Sequence, residues 1–252
     1  MEAFDEPGPY ATVEDGDAFG GCTVHRPEEL GSAGLPHPIV LWGNGTAAIP
    51  AFYRDLLAHL ASHGFVVAAA DTPNAGAAVE MLDCRDQLLL RAAEENDVWF
   101  EQLDARGVGA TGHSQGGAGA LMAGADPGVH TTAPLQPYID PIPFGGRFDR
   151  EAIGSQTGPQ LLLSGDADDI ATPEAQQRPV FEGANVRTVW ATLRGADHFE
   201  PLGDAGRYRG VVTAWFRDQL MDDPIAAERF ADACGLCDEA DWTVEERSPA
   251  SR

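Results

Sequence analysis

The sequence predicts an α/β fold in which a mostly parallel central sheet carries helices on both faces. Short apolar runs alternate along the chain with longer segments of helical periodicity, which is typical of strands joined by crossover helices. Some of these runs are continuously apolar, as expected for strands that are buried on both faces of a sheet. The 252 residues, 43% of them hydrophobic, fit one domain with a full core.

The elements follow from the pattern in chain order. Strands are predicted at residues 39–42, 65–70, 108–111, 160–163 and 186–191. Helices are predicted at residues 50–62, 82–103, 116–123 and 208–221. The first helix carries an apolar stripe and ends before Gly64; the stripe is formed by Phe52, Leu56, Leu57 and Leu60.

The ends of the chain are acidic and weakly periodic. We expect residues 1–252 to form a single domain on which residues 1–12 and 223–252 are peripheral or loosely packed.

The charge of the chain is strongly negative. It has 40 acidic and 16 basic side chains, for a formal charge of −24, and every basic residue other than histidine is Arg. Such a surface repels nucleic acid phosphates and anionic lipid, so neither is expected as a partner. The acidity is consistent with a salt-adapted protein, since salt screens self-repulsion. A high-GC genome that replaces Lys by Arg is the alternative interpretation.

The sequence has no apolar run of the roughly 18 residues that a membrane span needs. The first ten residues have neither a positive region nor an apolar core, so they do not resemble a secretory signal. Two compartments therefore stay open: the cytoplasm, or the exterior for a mature protein without its leader.

Four cysteines allow three disulfide pairings, and the sequence does not choose among them. Cys234 and Cys237 have the CxxC spacing of metal and redox sites. No second ligand pair accompanies them, and they lie near the carboxy terminus rather than at the start of a βαβ unit. A structural disulfide or two free thiols is the favoured interpretation, and no metal site is expected.

A G-x-S-x-G motif lies between the predicted strand 108–111 and the predicted helix 116–123; it reads Gly112-His113-Ser114-Gln115-Gly116. In this context the motif predicts a nucleophile elbow, a sharp turn that strains Ser114 and exposes its hydroxyl. The glycines keep side chains away from the neighbouring strand and helix. The motif therefore predicts an α/β-hydrolase fold, and we expect no large lid domain.

Such a fold presents its catalytic residues in the order Ser, acid, His. The predicted strand 160–163 is followed by three candidate acids, Asp166, Asp168 and Asp169. Of the seven histidines only His198 follows this acid loop, and it lies in a loop after the strand ending near Ala191. We expect His198 to take the Ser114 proton while one of the aspartates fixes its tautomer.

Two backbone N–H groups are expected to form an oxyanion hole. One is that of Gln115, which follows the nucleophile. The other is expected in residues 43–46, here named the oxyanion loop, with Gly45 as the predicted donor and Asn44 or Thr46 as alternatives. Thr46 is also expected to contact substrate.

Several segments resemble the bacterial cutinase and polyester-hydrolase family, which includes poly(ethylene terephthalate)-degrading enzymes. The resemblance covers about residues 8–234 and rests on segments at 60–67, 71–72, 109–117, 133–138 and 168–171. It implies that Asp168 is the catalytic carboxylate and His198 the catalytic histidine. It also implies that Tyr138 and Ile170 line the substrate cleft, and it favours secretion.

The chain departs from the family at four places. Gly45 stands where the family has Tyr or Phe, which removes an aromatic clamp, and Gln115 stands where it has Met. Tyr138 replaces a Trp, and the carboxy-terminal disulfide of the family matches only at Cys234.

The predicted function is serine-dependent hydrolysis of short-to-medium acyl esters or aromatic polyester-type esters through an acyl-enzyme. The expected substrate is a small or polymeric ester, and no cofactor is required. The sequence does not fix the oligomeric state, and a monomer is compatible with it. The alternatives are a thioesterase, a feruloyl-type esterase or a peptidase with the same triad. A non-catalytic binding protein of the same fold is a further alternative, which the three filled triad positions disfavour.

Overall fold

The computed structural model describes residues 1–16, 20–32, 34–142, 147–231 and 234–249. Over these ranges one sheet of nine strands runs through the molecule in the order β1-β2-β4-β3-β5-β6-β7-β8-β9. The strands are β1 (Thr12–Asp15), β2 (Cys22–Pro27), β3 (His37–Gly43), β4 (Val66–Ala70), β5 (Leu103–His113), β6 (Thr131–Leu135), β7 (Gln160–Gly165), β8 (Thr188–Leu193) and β9 (Trp242–Arg247).

The six strands from β4 to β8 in the sheet order are parallel, as predicted. Antiparallel strands extend both edges: β1 and β2 on one side, β9 on the other. The helices are α1 (Glu2–Asp5), α2 (Arg54–Ser62), α3 (Val79–Ala92), α4 (Gln115–Ala123), α5 (Arg178–Gly183), α6 (Tyr208–Met221) and α7 (Pro224–Ala227).

Helices cover both faces of the sheet because its strands are apolar on both sides. On one face Val40, Trp42 and Val67 pack with residues of α2 and α6. On the opposite face the alternate residues Ile39 and Leu41 pack with residues of α3 and α4. The α/β architecture predicted from the continuous apolar runs is therefore confirmed.

One predicted helix is too long. The sequence pattern gave a helix at residues 82–103, whereas α3 spans Val79–Ala92 and residues 94–102 form turns. Asp97 accepts a hydrogen bond from the Trp99 N–H, and Glu101 has a φ of 56°. Such local side-chain contacts and left-handed backbone stabilise turns at the expense of helix.

The predicted stripe of the first helix is wrong at Phe52. Residues Pro50–Tyr53 form a 3₁₀ turn before α2 begins, and the tighter turn changes which side chain faces the core. Tyr53 is buried, whereas Phe52 is 52% exposed. Gly64 follows α2 with a φ of 98°, which confirms the predicted helix end.

The two end segments pack on helix α6 and, through β9, on strand β8 of the sheet. Phe4 from one end, and Phe230 and Leu236 from the other, are buried in the core. The amino-terminal ammonium donates to Glu239 Oε1 at 2.9 Å. We infer that both ends belong to the same domain as the sheet.

All four cysteines form disulfides. Cys22 at the start of β2 is bonded to Cys84 in α3, and Cys234 is bonded to Cys237. The CxxC pair is thus a disulfide, one of the two states favoured by the sequence. Across the described ranges, no helix combines the length and the apolar character needed to cross a membrane.

Candidate active site

Ser114 occupies a strained turn between β5 and α4. Its φ of 56° and ψ of −119° are rare for a residue with a side chain, as the elbow motif predicts. Gly116 is required by close packing, because a Cβ atom there would overlap the backbone carbonyl of Gly43 at the end of β3. The elbow therefore holds the Ser114 hydroxyl at the carboxyl edge of the sheet, against the oxyanion loop.

Of the three candidate acids, only Asp168 is buried. It lies in the turn after β7, and its Oδ1 accepts hydrogen bonds from the N–H groups of Ile170 (2.9 Å) and Ala171 (2.7 Å). Asp169 is exposed, and Asp166 accepts from the Gly195 N–H at 2.5 Å. The backbone donors fix the carboxylate so that its second oxygen faces the next loop.

His198 bridges this carboxylate and the Ser114 hydroxyl. Its Nδ1 lies 2.8 Å from Asp168 Oδ2, and its Nε2 lies 2.9 Å from Ser114 Oγ. Because an ionised carboxylate only accepts, Nδ1 carries the proton and Nε2 accepts from the serine hydroxyl. The structure thus brings together side chains that are 30 and 84 residues apart in the chain.

Asp168 is held in its charged form although it is buried. Burial alone would raise the pKa of its carboxyl, but the hydrogen bond and charge of His198 and the two backbone N–H groups outweigh it. The net effect is a lowered pKa. Asp168 is therefore an anion at neutral pH and can stabilise an imidazolium at His198.

The two predicted oxyanion donors have different surroundings. Gln115 is the first residue of α4, so its N–H has no intrahelical acceptor. Its side chain is buried, and neither amide atom has a hydrogen-bond partner among the described residues. The Gly45 N–H, by contrast, donates to Tyr53 Oη at 3.2 Å. Any acceptor that reaches this N–H from the cleft therefore shares it with Tyr53 Oη, a competition that the sequence did not indicate.

A cleft of about 470 Å³ opens at Ser114 and His198. The predicted site residues Gly45, Thr46, Tyr138 and Ile170 all line it, whereas the side chain of Gln115 lies buried outside it. The apolar lining also includes residues that the sequence analysis did not single out: Phe52, Pro141, Ile142, Phe199 and Leu202.

The cleft is rich in aromatic side chains despite the glycine at position 45. Phe52 and Phe199 line it and are 52% and 59% exposed. The segment 199–203 is hydrogen-bonded to Phe52, because the Gly203 N–H donates to the Phe52 carbonyl at 2.8 Å. Phe199 directly follows His198 in the sequence, which was the available signal for it, whereas helical periodicity assigned Phe52 to the core.

A further missed residue is Gln136, which directly follows β6 with a φ of 44°. Its side-chain N–H donates to the Asp197 carbonyl at 2.7 Å and so holds the loop that carries His198.

Similarity to known proteins agrees with this geometry. Cutinase 2 of Thermobifida cellulosilytica is 28% identical over 208 residues, covering 77% of this chain and 73% of that protein. Cutinase est2 of Thermobifida alba is 26% identical over 230 residues, covering 86% and 71%. The bis(hydroxyethyl) terephthalate hydrolase of Streptomyces coelicolor is 27% identical over 235 residues, covering 88% and 71%.

The model of one protein family, described as PET hydrolase-like, matches residues 7–249. This match includes every strand of the sheet and all three residues of the Ser-His-Asp arrangement. An elbow serine, a histidine bridge and an apolar cleft on an α/β-hydrolase sheet are what such an enzyme needs. The chain belongs to the PET hydrolase-like family.

Proposed function

We propose that Ser114 is the nucleophile of a two-step ester hydrolysis, with His198 as general base and Asp168 as the group that orients it. The protein is a serine carboxylic-ester hydrolase of the cutinase and polyester-hydrolase type. The observation that carries the proposal is the position of His198, 2.9 Å from Ser114 Oγ and 2.8 Å from Asp168 Oδ2.

The reaction begins when Ser114 Oγ attacks the ester carbonyl carbon and its proton passes to His198 Nε2. The tetrahedral intermediate collapses as His198 gives this proton to the leaving alcohol, which leaves an acyl-enzyme. Water, deprotonated by His198, then attacks the acyl carbon, and Ser114 recovers its proton as the acid departs.

The oxyanion is held by the N–H groups of Gln115 and Gly45. At 3.2 Å the resting bond from Gly45 to Tyr53 Oη lies at the long limit for N–H···O contacts. A hydrogen bond to an ionised oxygen is roughly twice as strong as one between neutral groups. The Gly45 N–H therefore shares its hydrogen with the oxyanion when charge develops there, while it stays next to Tyr53 Oη.

The substrate is an ester with a short-to-medium acyl chain or an aromatic, polyester-type ester. A cleft of about 470 Å³ lined by Phe52, Tyr138, Ile170 and Phe199 suits an apolar ester of this size. Exposed Phe52, Ile170, Phe199 and Leu202 around the opening also suit a polymer chain that extends beyond the cleft. One relative is a bis(hydroxyethyl) terephthalate hydrolase, which supports an aromatic diester as the substrate here.

Hydrolysis of p-nitrophenyl butyrate tests this proposal. Ser114→Ala should lower kcat by at least about 10⁴-fold, because the nucleophile is lost while the fold is kept. Ser155→Ala, at an exposed serine whose hydroxyl donates to the Glu151 carbonyl, is the matched control and should keep parental activity. Parental turnover in Ser114→Ala would contradict the proposal.

A further inference from the structure

A continuous chain of hydrogen bonds runs behind the cleft from the oxyanion loop to the loop that carries His198. The Gly45 N–H lies 3.2 Å from Tyr53 Oη, which lies 2.9 Å from His113 Nδ1. His113 Nε2 lies 2.8 Å from the backbone carbonyl oxygen of His198. Tyr53 and His113 are both buried.

The direction of each hydrogen bond follows from the groups at the two ends. The His198 carbonyl can only accept, so His113 Nε2 must donate. His113 is neutral, because burial, and repulsion from His198 whenever that ring is protonated, lower its pKa to about 3. Its Nδ1 is therefore an acceptor.

Tyr53 supplies the proton for Nδ1. Burial raises the pKa of its hydroxyl to about 12, so the hydroxyl stays protonated at neutral pH. Having donated its one proton, Oη has a lone pair left for the Gly45 N–H. Each donor in this series of hydrogen bonds thus has one acceptor. No hydrogen bond in the series can change direction without breaking another.

The backbone at Gly45 is fitted closely to the tyrosine. A Cβ atom at this position would lie 2.9 Å from Tyr53 Oη and 3.2 Å from His113 Nδ1. The oxyanion loop is also held from its other side, where the Asn44 amide donates to the carbonyls of Ala70 (2.7 Å) and Thr72 (3.0 Å). Tyr53 thus holds the N–H of Gly45, while the Gly45 carbonyl accepts from the Ala48 N–H at 3.0 Å.

We propose that Tyr53 is a positioning residue for ester hydrolysis: its hydroxyl keeps the Gly45 N–H and, through His113, the His198 backbone in register with Ser114. The inference rests on the function proposed above, because only in that function do the Gly45 N–H and His198 need a fixed position relative to Ser114. Among the described residues, Tyr53 makes no hydrogen bond to Ser114 or Asp168, so its effect acts through Gly45 and His113. Misplacement of reacting groups by about 1 Å can lower a rate by about 100-fold.

Tyr53→Phe removes only the hydroxyl and is the first test. Steady-state kinetics on p-nitrophenyl butyrate, with active sites counted by fluorophosphonate labelling, should give a kcat lowered about 10-fold to 100-fold and a KM within about twofold. Tyr10→Phe is the matched control, because Tyr10 packs on His37 at the start of β3, away from the carboxyl edge. It should leave both constants at the parental values.

A loss of folding alone would lower the number of labelled sites and leave kcat per labelled site unchanged, which would overturn the positioning role. Parental kcat in Tyr53→Phe would overturn it as well. Neither result would bear on the proposed function, which is tested separately by Ser114→Ala. Loss of activity in Ser114→Ala supports that function, and parental activity contradicts it.

The contact itself is tested by a double-mutant cycle with Gly45→Ala. The alanine methyl group should lower kcat strongly beside Tyr53, because it meets Oη at 2.9 Å. In the Tyr53→Phe background that atom is gone, so Gly45→Ala should lower kcat by a smaller factor. Factors that simply multiply in the double variant would show that the two residues act independently, which would contradict the proposal.

Discussion

Asp168 Oδ2 lies 2.8 Å from His198 Nδ1, and the same carboxylate is anchored through its other oxygen by two backbone N–H groups. The acid therefore has one orientation, which fixes the tautomer of the imidazole and aims Nε2 at Ser114 Oγ. This anchoring places the proton of a neutral His198 on Nδ1, so Nε2 is the nitrogen that accepts the serine proton.

Asp168→Asn should lower kcat by about 10³-fold to 10⁴-fold on p-nitrophenyl butyrate with little change in KM. An amide removes the negative charge and can present N–H to Nδ1, which favours the wrong imidazole tautomer. Asp169→Asn, at the exposed neighbouring position, is the control and should behave as the parent. If both variants keep parental kcat, Asp168 is not the orienting acid.

Phe199→Ala should weaken the binding of aromatic esters more than that of small ones. Phe199 is 59% exposed at the cleft and lies edge-on to the His198 ring, with centroids 5.8 Å apart. Loss of one aromatic contact of about 1 kcal/mol corresponds to a KM about fivefold higher for bis(hydroxyethyl) terephthalate. The KM for p-nitrophenyl acetate should change by less than about twofold.

Leu90→Ala serves as the control for Phe199→Ala, because Leu90 is 70% exposed on α3 and does not line the cleft. Equal changes in KM for the aromatic and the acetate ester in Phe199→Ala would count against an aromatic subsite at this position.

The two disulfides should contribute unequally to stability. Their cysteines are 62 and 3 residues apart, and a longer closed loop restricts the unfolded chain more. By loop-closure entropy, Cys22→Ala/Cys84→Ala should lower the free energy of unfolding by about 4 kcal/mol, and Cys234→Ala/Cys237→Ala by about 2 kcal/mol. Urea unfolding of both double variants measures this, and a larger loss for the CxxC pair would refute the expected order.

Buried His59 should make the fold sensitive to mild acid. Burial and the neighbouring His63 lower its pKa to about 4, whereas an unfolded histidine titrates near 6.5. Between these two pH values the unfolded state binds more protons, so the free energy of unfolding falls as the pH falls from about 6.5 to 4. Above that window His59 is neutral in both states and contributes no slope.

His59→Gln keeps a donor for the Phe4 carbonyl, which lies 2.9 Å from His59 Nε2, and removes the titration. Its free energy of unfolding should depend less on pH within this window, by up to about 1.4 kcal/mol per pH unit. Urea unfolding at several pH values from 7 to 4 gives the free energy of unfolding of the parent and of His59→Gln. The same dependence on pH in both proteins would contradict the expectation.

Five of the six parallel strands (β3, β4, β5, β7 and β8) were predictable, because short, largely apolar runs bounded by turns mark buried strands. Helix α6 has the predicted bounds, Tyr208–Met221, since its buried face is uninterrupted. The antiparallel edge strand β9 was missed, because Trp242–Arg247 is mostly polar and exposed. The central strand β6 was missed for another reason: it contains Pro134, which normally argues against a strand between two others.

For the candidate site, the order of the motif residues along the chain was enough to choose Ser114 and His198, and family resemblance chose Asp168. The contact of Tyr53 with Gly45 was not predictable, because it depends on a 3₁₀ turn that rotates Tyr53 inward and Phe52 outward. Helical periodicity assumes one constant rotation per residue and so fails at such a turn.

The identity of the nucleophile is tested most directly by intact-mass analysis after fluorophosphonate treatment. We expect one adduct per chain in the parent protein, located on Ser114 by peptide mapping, and none in Ser114→Ala. An unlabelled parent, or an adduct that persists in Ser114→Ala, would contradict this expectation.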